Sequence, residues 1–368
     1  MELLDLVDDV LHLLCEAVDD GSANGPAVAS AGQPRTLRSI ASLTSTCKRL
    51  RLLGAPFLYR VATIGRDQSH EQAIASMASL NEAHHAHQHI RILRVAFKNV
   101  NIALDVVTGL GEVLPKLSQL RDLDIYAPGK EARPAVACGL QAALRGKTLP
   151  SVQTLILTPE MEAIIPFFSN VLTVDIPGGM CGPNLGAAGE AREASCHRLI
   201  SVLKCAPKLR HLVYDPKWTA DQLEKLHADL PGLQSLGTVD MKYLKYTRGD
   251  PVAIYSLFPS LSLFKDLKVL MLAHVHSLNV NYHPPGCGNA YRGPNGQALR
   301  SRLRLKREGY EEAIARAAFS TCKVLEEVWF GHRRQACCVR NESGGVEEVT
   351  WREWIRSKAS GESRVCIW

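Results

Sequence analysis

One pattern constrains this chain more than any other. An aliphatic-x-x-aliphatic-x-aliphatic unit returns eight times. The instances are Ile90-Leu93-Val95, Leu120-Leu123-Ile125, Val152-Leu155-Leu157, Val171-Val174-Ile176, Leu209-Leu212-Tyr214, Leu233-Leu236 (two positions only), Leu267-Leu270-Leu272 and Leu325-Val328-Phe330. The alternation at the end of each unit is the period-two signature of a strand with one face in a core. A helical stretch precedes most of them, such as Leu110, Val113, Leu114 and Leu117, or Leu199, Val202, Leu203 and Ala206. Such a unit cannot bury its apolar face alone, so neighbours must stack. Two or three buried aliphatic side chains per strand, at about 1.5–3 kcal/mol each, supply the drive. Equivalent second positions lie 19 to 58 residues apart. The units are therefore unequal and interrupted by inserts.

Three inserts stand out: 177–189, 279–297 and 331–345, each rich in Gly or Pro or both. After the last, Val349 to Ile355 reads as a short helix, followed by the apolar run Val365-Cys366-Ile367-Trp368. A repeat array needs a cap at each end, and this Trp-rich tail is expected to supply one.

The first 18 residues predict a helix. On a wheel of about 100° per residue, Asp5, Asp8, Asp9, His12 and Glu16 gather in one arc. The apolar residues fill an arc of roughly 200°, about twice what packing on one core requires. The helix therefore has two surfaces to bury, one in its own domain and one available to a partner. Residues 19–35 are Gly, Ala, Ser, Asn and Pro with almost no large apolar side chain, and are expected to form a flexible loop. Leu37, Ile40, Leu43, Cys47 and Leu50 recur at helical spacing. Ser45 or Thr46 is the expected cap of a further short helix. Gly54-Ala55-Pro56 is expected to break the pattern before the chain becomes extended through Ile64.

These first 60 residues resemble an F-box. The resemblance is carried by Leu6 to Leu14, Leu37 to Leu43, Thr46-Cys47-Lys48-Arg49-Leu50-Arg51 and Pro56-Phe57-Leu58-Tyr59-Arg60; Val7 stands where the family usually has proline. Residues 68–332 resemble leucine-rich repeats, without the Asn or Cys that usually follows the last Leu. The fold class implied is α/β. A small all-α F-box-like domain at 1–62, with its insert at 19–35, precedes an irregular leucine-rich-repeat-like solenoid at 63–335 and a capping tail at 336–368. The resemblance implies a substrate-recognition adaptor of an SCF-type cullin–RING ubiquitin ligase. Leu6, Val7, Val10, Leu13, Leu14, Leu43, Cys47 and Leu50 would contact the Skp-family adaptor, and the repeats would hold an unidentified substrate protein. About half of these residues serve equally as the core of the small helical unit. A repeat-based interaction scaffold without ligase coupling is the alternative.

Composition narrows the remaining classes. The net charge of +6 is small for 368 residues, and aromatic residues make up only 6%, so neither a phosphate-tracking surface nor a stacking platform for nucleic acid is expected. No apolar run reaches the roughly 18 residues of a membrane span. The eleven cysteines are odd in number and contain no C-x-x-C, which fits a reducing compartment, cytoplasm or nucleus.

No catalytic motif is present: no G-x-S-x-G, H-E-x-x-H or Walker-type loop. Neither enzyme activity nor a cofactor is expected. Gly178-Gly179-Met180-Cys181-Gly182 follows a strand-like run but does not open directly into a helix, as a phosphate-binding turn must. The tract His84, His85, His87, His89 reads as a polar helix end leading into a strand. His274, His276, His283 and Cys287 do not have a zinc spacing. Arg300, Arg302, Arg304, Lys306 and Arg307 read as a solvated helix face, with an acidic partner segment as the functional alternative. The vicinal pair Cys337-Cys338 falls in what reads as a polar loop.

Overall fold

A computed structural model describes residues 44–66, 68–97, 100–127, 132–176, 188–214, 218–237, 254–275, 292–331 and 334–353, with residues 11, 15, 42, 278 and 290. The fold is mixed α/β. The chain divides into two compact units, residues 1–126 with 355–368 and residues 127–354.

In the first unit, helix α1 (Lys48–Leu58) begins at Cys47, whose extended backbone lets its Sγ accept from the Leu50 amide at 3.4 Å. Cys47, rather than Ser45 or Thr46, is the cap. The helix also runs through Gly54-Ala55-Pro56, where the sequence predicted a break. A Cβ on Gly54 would collide with Thr44 Cγ2 and meet Cys15 Sγ, so this glycine is an approach point between helices. Pro56 lies in the last turn, where it removes only one helical hydrogen bond.

Strand β1 (Val61–Ile64) follows at once, and the ladder therefore starts earlier than residue 68. Helix α2 (His70–Glu82) opens on a capping box in which Ser69 Oγ accepts from the Gln72 amide at 3.3 Å and Gln72 Oε1 accepts from the Ser69 amide at 2.9 Å. The one-turn helix α3 (His84–His87) holds three histidines of the tract, His89 lying just beyond it, with a ring nitrogen of buried His87 2.7 Å from the Leu80 carbonyl. Strand β2 (Ile92–Ala96), helix α4 (Val100–Val113) and strand β3 (Asp122–Tyr126) complete the unit. β1, β2 and β3 pair in parallel and in sequence order, with Leu93 beside Leu123 and Val95 beside Ile125.

The second unit repeats this scheme. Its strands are β4 (Thr154–Leu157), β5 (Thr173–Ile176), β6 (His211–Tyr214), β7 (Ser235–Gly237), β8 (Val269–Leu272) and β9 (Glu327–Phe330). Each pairs in parallel with the next, so Leu155, Val174, Leu212, Leu236, Leu270 and Val328 form one continuous row. Helix α5 (Ala132–Ala143) precedes β4, and the helices between the strands are α6 (Ala188–Leu203), α7 (Ala220–Asp229), α8 (Phe258–Leu261) and α9 (Gly293–Thr321), with 3-10 helices at Glu162–Phe167 and Ile254–Leu257.

Every repeat position read from the sequence is at most 5% exposed, Tyr214 being the least buried. The backbone repeats as faithfully as the side chains. One carbonyl just before each strand accepts from two successive amides of the following repeat. Arg60 O serves Arg91 and Ile92 in the first unit, and in the second Gln153, Leu172, Arg210, Gln234 and Lys268 do the same at 2.8–3.1 Å. Unequal sequence spacing is therefore compatible with equal rungs, because the extra residues leave the ladder between one rung and the next.

Two expectations fail at the far end. Residues 334–340, within the third insert, form strand β10 (Arg334–Arg340), antiparallel to β9. Val346–Glu353, most of which read as part of a helix, forms strand β11, antiparallel to β10. The open hydrogen-bonding edge of β9 is what selects extended chain here. Ala336 sits beside Val328 and is fully buried, whereas the polar residues around it hid the alternation. The turn closes through the Asn341 amide to Gly345 O at 3.0 Å and the Gly345 amide to Asn341 Oδ1 at 2.8 Å.

Candidate functional site

The residues expected to touch an adaptor divide sharply. Leu6, Val7, Val10, Leu13, Leu14 and Leu43 lie outside the described residues. Leu50 is 2% exposed, and Leu11 and Cys15 of the same unit are at 1% and 0%. Cys47 is half-buried and spends its sulfur on the helix cap. The exposed apolar side chain on α1 is Leu52, at 76%. The sequence reading missed it because Leu52 falls outside the three-and-four spacing that selected Leu50.

A second candidate region follows from connectivity in the second unit. Links from a helix back to a strand are 144–153, which is the longest, and then 168–172, 204–210, 230–234, 262–268 and 322–326, which are short and similar. Links from a strand to the next helix are unequal and often long: 158–161, 177–187, 215–219, 238–253 and 273–292. Parallel pairing puts the carboxyl ends of β4 to β9 at one side of the sheet, so these unequal links all start from that side. Ligands of open parallel α/β sheets gather at this side, because loops there vary without disturbing the ladder.

The described side chains at these carboxyl ends form a specific set. After β4, Thr158 Oγ1 accepts from the Ala127 amide at 3.0 Å and donates to Met161 Sδ at 3.2 Å. Buried Arg133 donates from Nε to Ala127 O at 3.0 Å and reaches Glu160 at 4.0 Å. Glu160 has φ of 75°, in the left-handed region, and its amide donates to Glu162 Oε1 at 3.1 Å. A side chain held in that region stores strain that the surrounding contacts must offset. After β6, Tyr214 and Trp218 meet edge to face, with centroids 6.2 Å apart. The Trp218 indole N–H is buried with no hydrogen-bond partner among the described residues. After β9, Gly331 adopts φ of 58° against the His274 ring and donates its amide to Leu272 O at 2.8 Å.

Electrostatics here are local rather than field-like. Half-buried His211 on β6 is held below the usual imidazole range by burial and, less, by neighbouring Arg210. The basic run on α9 lies mostly in solvent; Arg304 pairs with Glu308 at 2.7 Å and Arg307 with buried Glu311 at 3.4 Å. Burial pushes Glu311 above the usual carboxylate range, against the opposing pull of Arg334 and Arg307. Of the loose metal-ligand set, His276, His283 and Cys287 lie outside the described residues. Among the described residues no group of three His, Cys, Asp or Glu side chains is placed to hold a metal ion, and no helix is long and apolar enough to cross a membrane.

The chain's sequence matches no protein-family model, and it matches no curated protein.

Proposed function

We propose that this chain is the substrate-recognition adaptor of an SCF-type cullin–RING ubiquitin ligase. The opening helical segment docks on the Skp-family adaptor, and an irregular leucine-rich-repeat-like solenoid holds the substrate protein. One observation carries the reading: α1, with Leu52 in solvent, passes through only Tyr59 and Arg60 into the first strand of a sequentially paired ladder. The docking helix is thus joined without a flexible linker to the parallel strands of its own unit. The shared carbonyl between rungs supports the solenoid, since it gives unequal repeats a constant step. The substrate would meet the carboxyl-end loops of the second unit. The chain itself performs no bond chemistry; it raises the effective concentration of substrate lysines near the conjugating enzyme. The protein would act in cytoplasm or nucleus.

Co-expression with a Skp-family adaptor and a cullin tests this. The expected outcome is a stable complex that Leu52→Asp disrupts without lowering the chain's melting temperature. A well-folded chain that retains no adaptor overturns it. The burial of Leu50 favours the second reading, an interaction scaffold not coupled to ubiquitin ligation, because it assigns one expected contact to the internal core.

A further inference from the structure

The first unit carries three arginines in one column. The Arg91 amide donates to the Arg60 carbonyl at 2.9 Å, and the Arg121 amide donates to the Arg91 carbonyl at 2.8 Å. The register of β1, β2 and β3 continues from these rungs, with Val61 beside Ile92 and Ile92 beside Asp122. One arginine therefore precedes each strand, at a rung step of about 4.8 Å. All three are exposed. Among the described residues, no hydrogen bond or ion pair engages the side chain of Arg91 or Arg121. The equivalent position in the second unit is built differently. Gln153 and Leu172 are uncharged, and Arg210 stands between Leu172 and Gln234 and donates to Gly232 O at 3.2 Å. Lys268 pairs with Glu326 of the next rung at 2.8 Å. Like charges directly opposite one another on neighbouring strands are destabilising. The stability of the first unit therefore does not account for its column, and an anion set against the arginines would relieve their repulsion.

We propose that this column docks an acidic helical segment of a partner protein, one that presents carboxylates at i, i+4 and i+7 on a single face. The charge selects the anion, and the rung step selects its form. Helix neighbours at i and i+4 are about 5–6 Å apart, and i+7 lies about 10.5 Å along the axis. Those distances follow one and two rungs of the column, about 4.8 and about 9.6 Å. Same-face residues of an extended strand step by about 6.6–6.8 Å and fall out of register by the second rung. Each planar guanidinium can meet one carboxylate through two parallel N–H···O bonds. The partner helix lies along the column and so crosses the direction of the three strands. No contact assigned above to the Skp-family adaptor or to the substrate belongs to the column, and the proposal holds with or without ligase coupling.

Fluorescence anisotropy on the full chain tests the assignment, with a labelled Ala-rich synthetic peptide of about 20 residues that carries Glu at i, i+4 and i+7. A peptide of the same composition, with its Glu residues spread round the helix, is the comparison. The aligned peptide is expected to bind at least about 10-fold more tightly than the comparison, and to lose affinity as salt is raised. Arg91→Gln with Arg121→Gln is expected to weaken it about 10-fold, and Arg121→Gln alone about 3-fold. Arg145→Gln, at an exposed position of the second unit, is the control and is expected to leave affinity unchanged. The melting temperature of Arg91→Gln is expected to hold or rise, because a repulsion is removed. A clear fall would give that side chain a structural role and overturn the proposal. Equal affinity for the two peptides overturns it, as does binding that the double variant retains. So does displacement of the aligned peptide by inorganic phosphate at matched ionic strength, which would assign the column to a phosphate group.

Discussion

The guanidinium of Arg334 lies 4.4 Å from the centroid of the Trp351 ring, diagonally across the β10–β11 hairpin. The same indole donates to Glu312 Oε2 on α9 at 2.8 Å and leans on Phe330 at 6.0 Å between centroids. Arg334 also pairs with Glu311 and with Glu353. The hairpin is thus tied to both the helix and the last parallel strand through one cation and one ring. A double-mutant cycle over Arg334→Met and Trp351→Leu is expected to return a coupling of about 1 kcal/mol in chemical unfolding, since the guanidinium side chain is largely withdrawn from water. Additive effects would show that the stacking is incidental to the ion pairs.

The continuous row of repeat residues gives a second test. Leu212 is fully buried between Val174 and Leu236. Leu212→Ala is expected to destabilise by about 2–5 kcal/mol, measured by the denaturant midpoint. Lys323→Ala, on the exposed link before β9, is expected to change stability by less than about 0.5 kcal/mol. Similar results from the two would remove the row from the core.

Gly65 follows β1 with φ of 82°, and a Cβ there would press on the Ala96 carbonyl. Gly65→Ala meets both the left-handed backbone and the collision. A loss of about 1–3 kcal/mol is expected in thermal or chemical unfolding.

His211 gives stability a pH dependence whose sign is fixed. Its folded pKa lies below the unfolded one, because burial favours the neutral ring. The unfolded chain therefore binds the proton first, and stability falls as pH drops through about 6.5. In His211→Gln that loss is expected to disappear. The stability difference between the two chains should be constant above about pH 7 and shift against the wild type below it. Parallel profiles across this range would count against the burial of the ring.

Cysteine reactivity should follow packing. Burial pushes the Cys322 thiol up to about 11, outweighing the opposing pull of Arg340. Cys138 and Cys205 are exposed. Alkylation near neutral pH is expected to label the latter two and spare Cys322, with Cys322 reacting only on unfolding. Mass spectrometry of the labelled native chain reads this directly.

The row of buried strand residues was legible in the sequence because strand periodicity is local: positions 93, 95, 123, 125, 155 and 157 announce themselves within six residues of chain. The helix signals were also present. Ser69 with Gln72 and Thr219 with Gln222 are capping boxes three residues apart, which a closer reading of the caps would have found. The hairpin was not legible. In Arg334 to Arg340 the polar residues dominate, and what makes the segment a strand is the open edge of β9, a partner contributed by another part of the chain. α1 shows the same limit: Gly54 and Pro56 read as breakers, yet Gly54 is where the helix meets Thr44 and Cys15.

The candidate site was less legible than the fold. Helical spacing picked Leu50 over Leu52, but spacing says only that residues share a face, not which face meets solvent; the folded unit, which buries Leu50 and leaves Leu52 exposed, decided that. The inserts were visible as composition, whereas the start of the links after β5, β6, β7 and β8 from one side of the sheet follows from parallel pairing. By itself, then, the sequence determined the repeating rung, since each rung rests on nearest-neighbour alternation and side-chain burial. Only the tertiary structure decided where the first unit's strands begin and which edge is unpaired among its described residues, and what covers the last parallel strand of the second unit. Those are properties of hydrogen-bonding partners far apart in the chain, which no local pattern encodes.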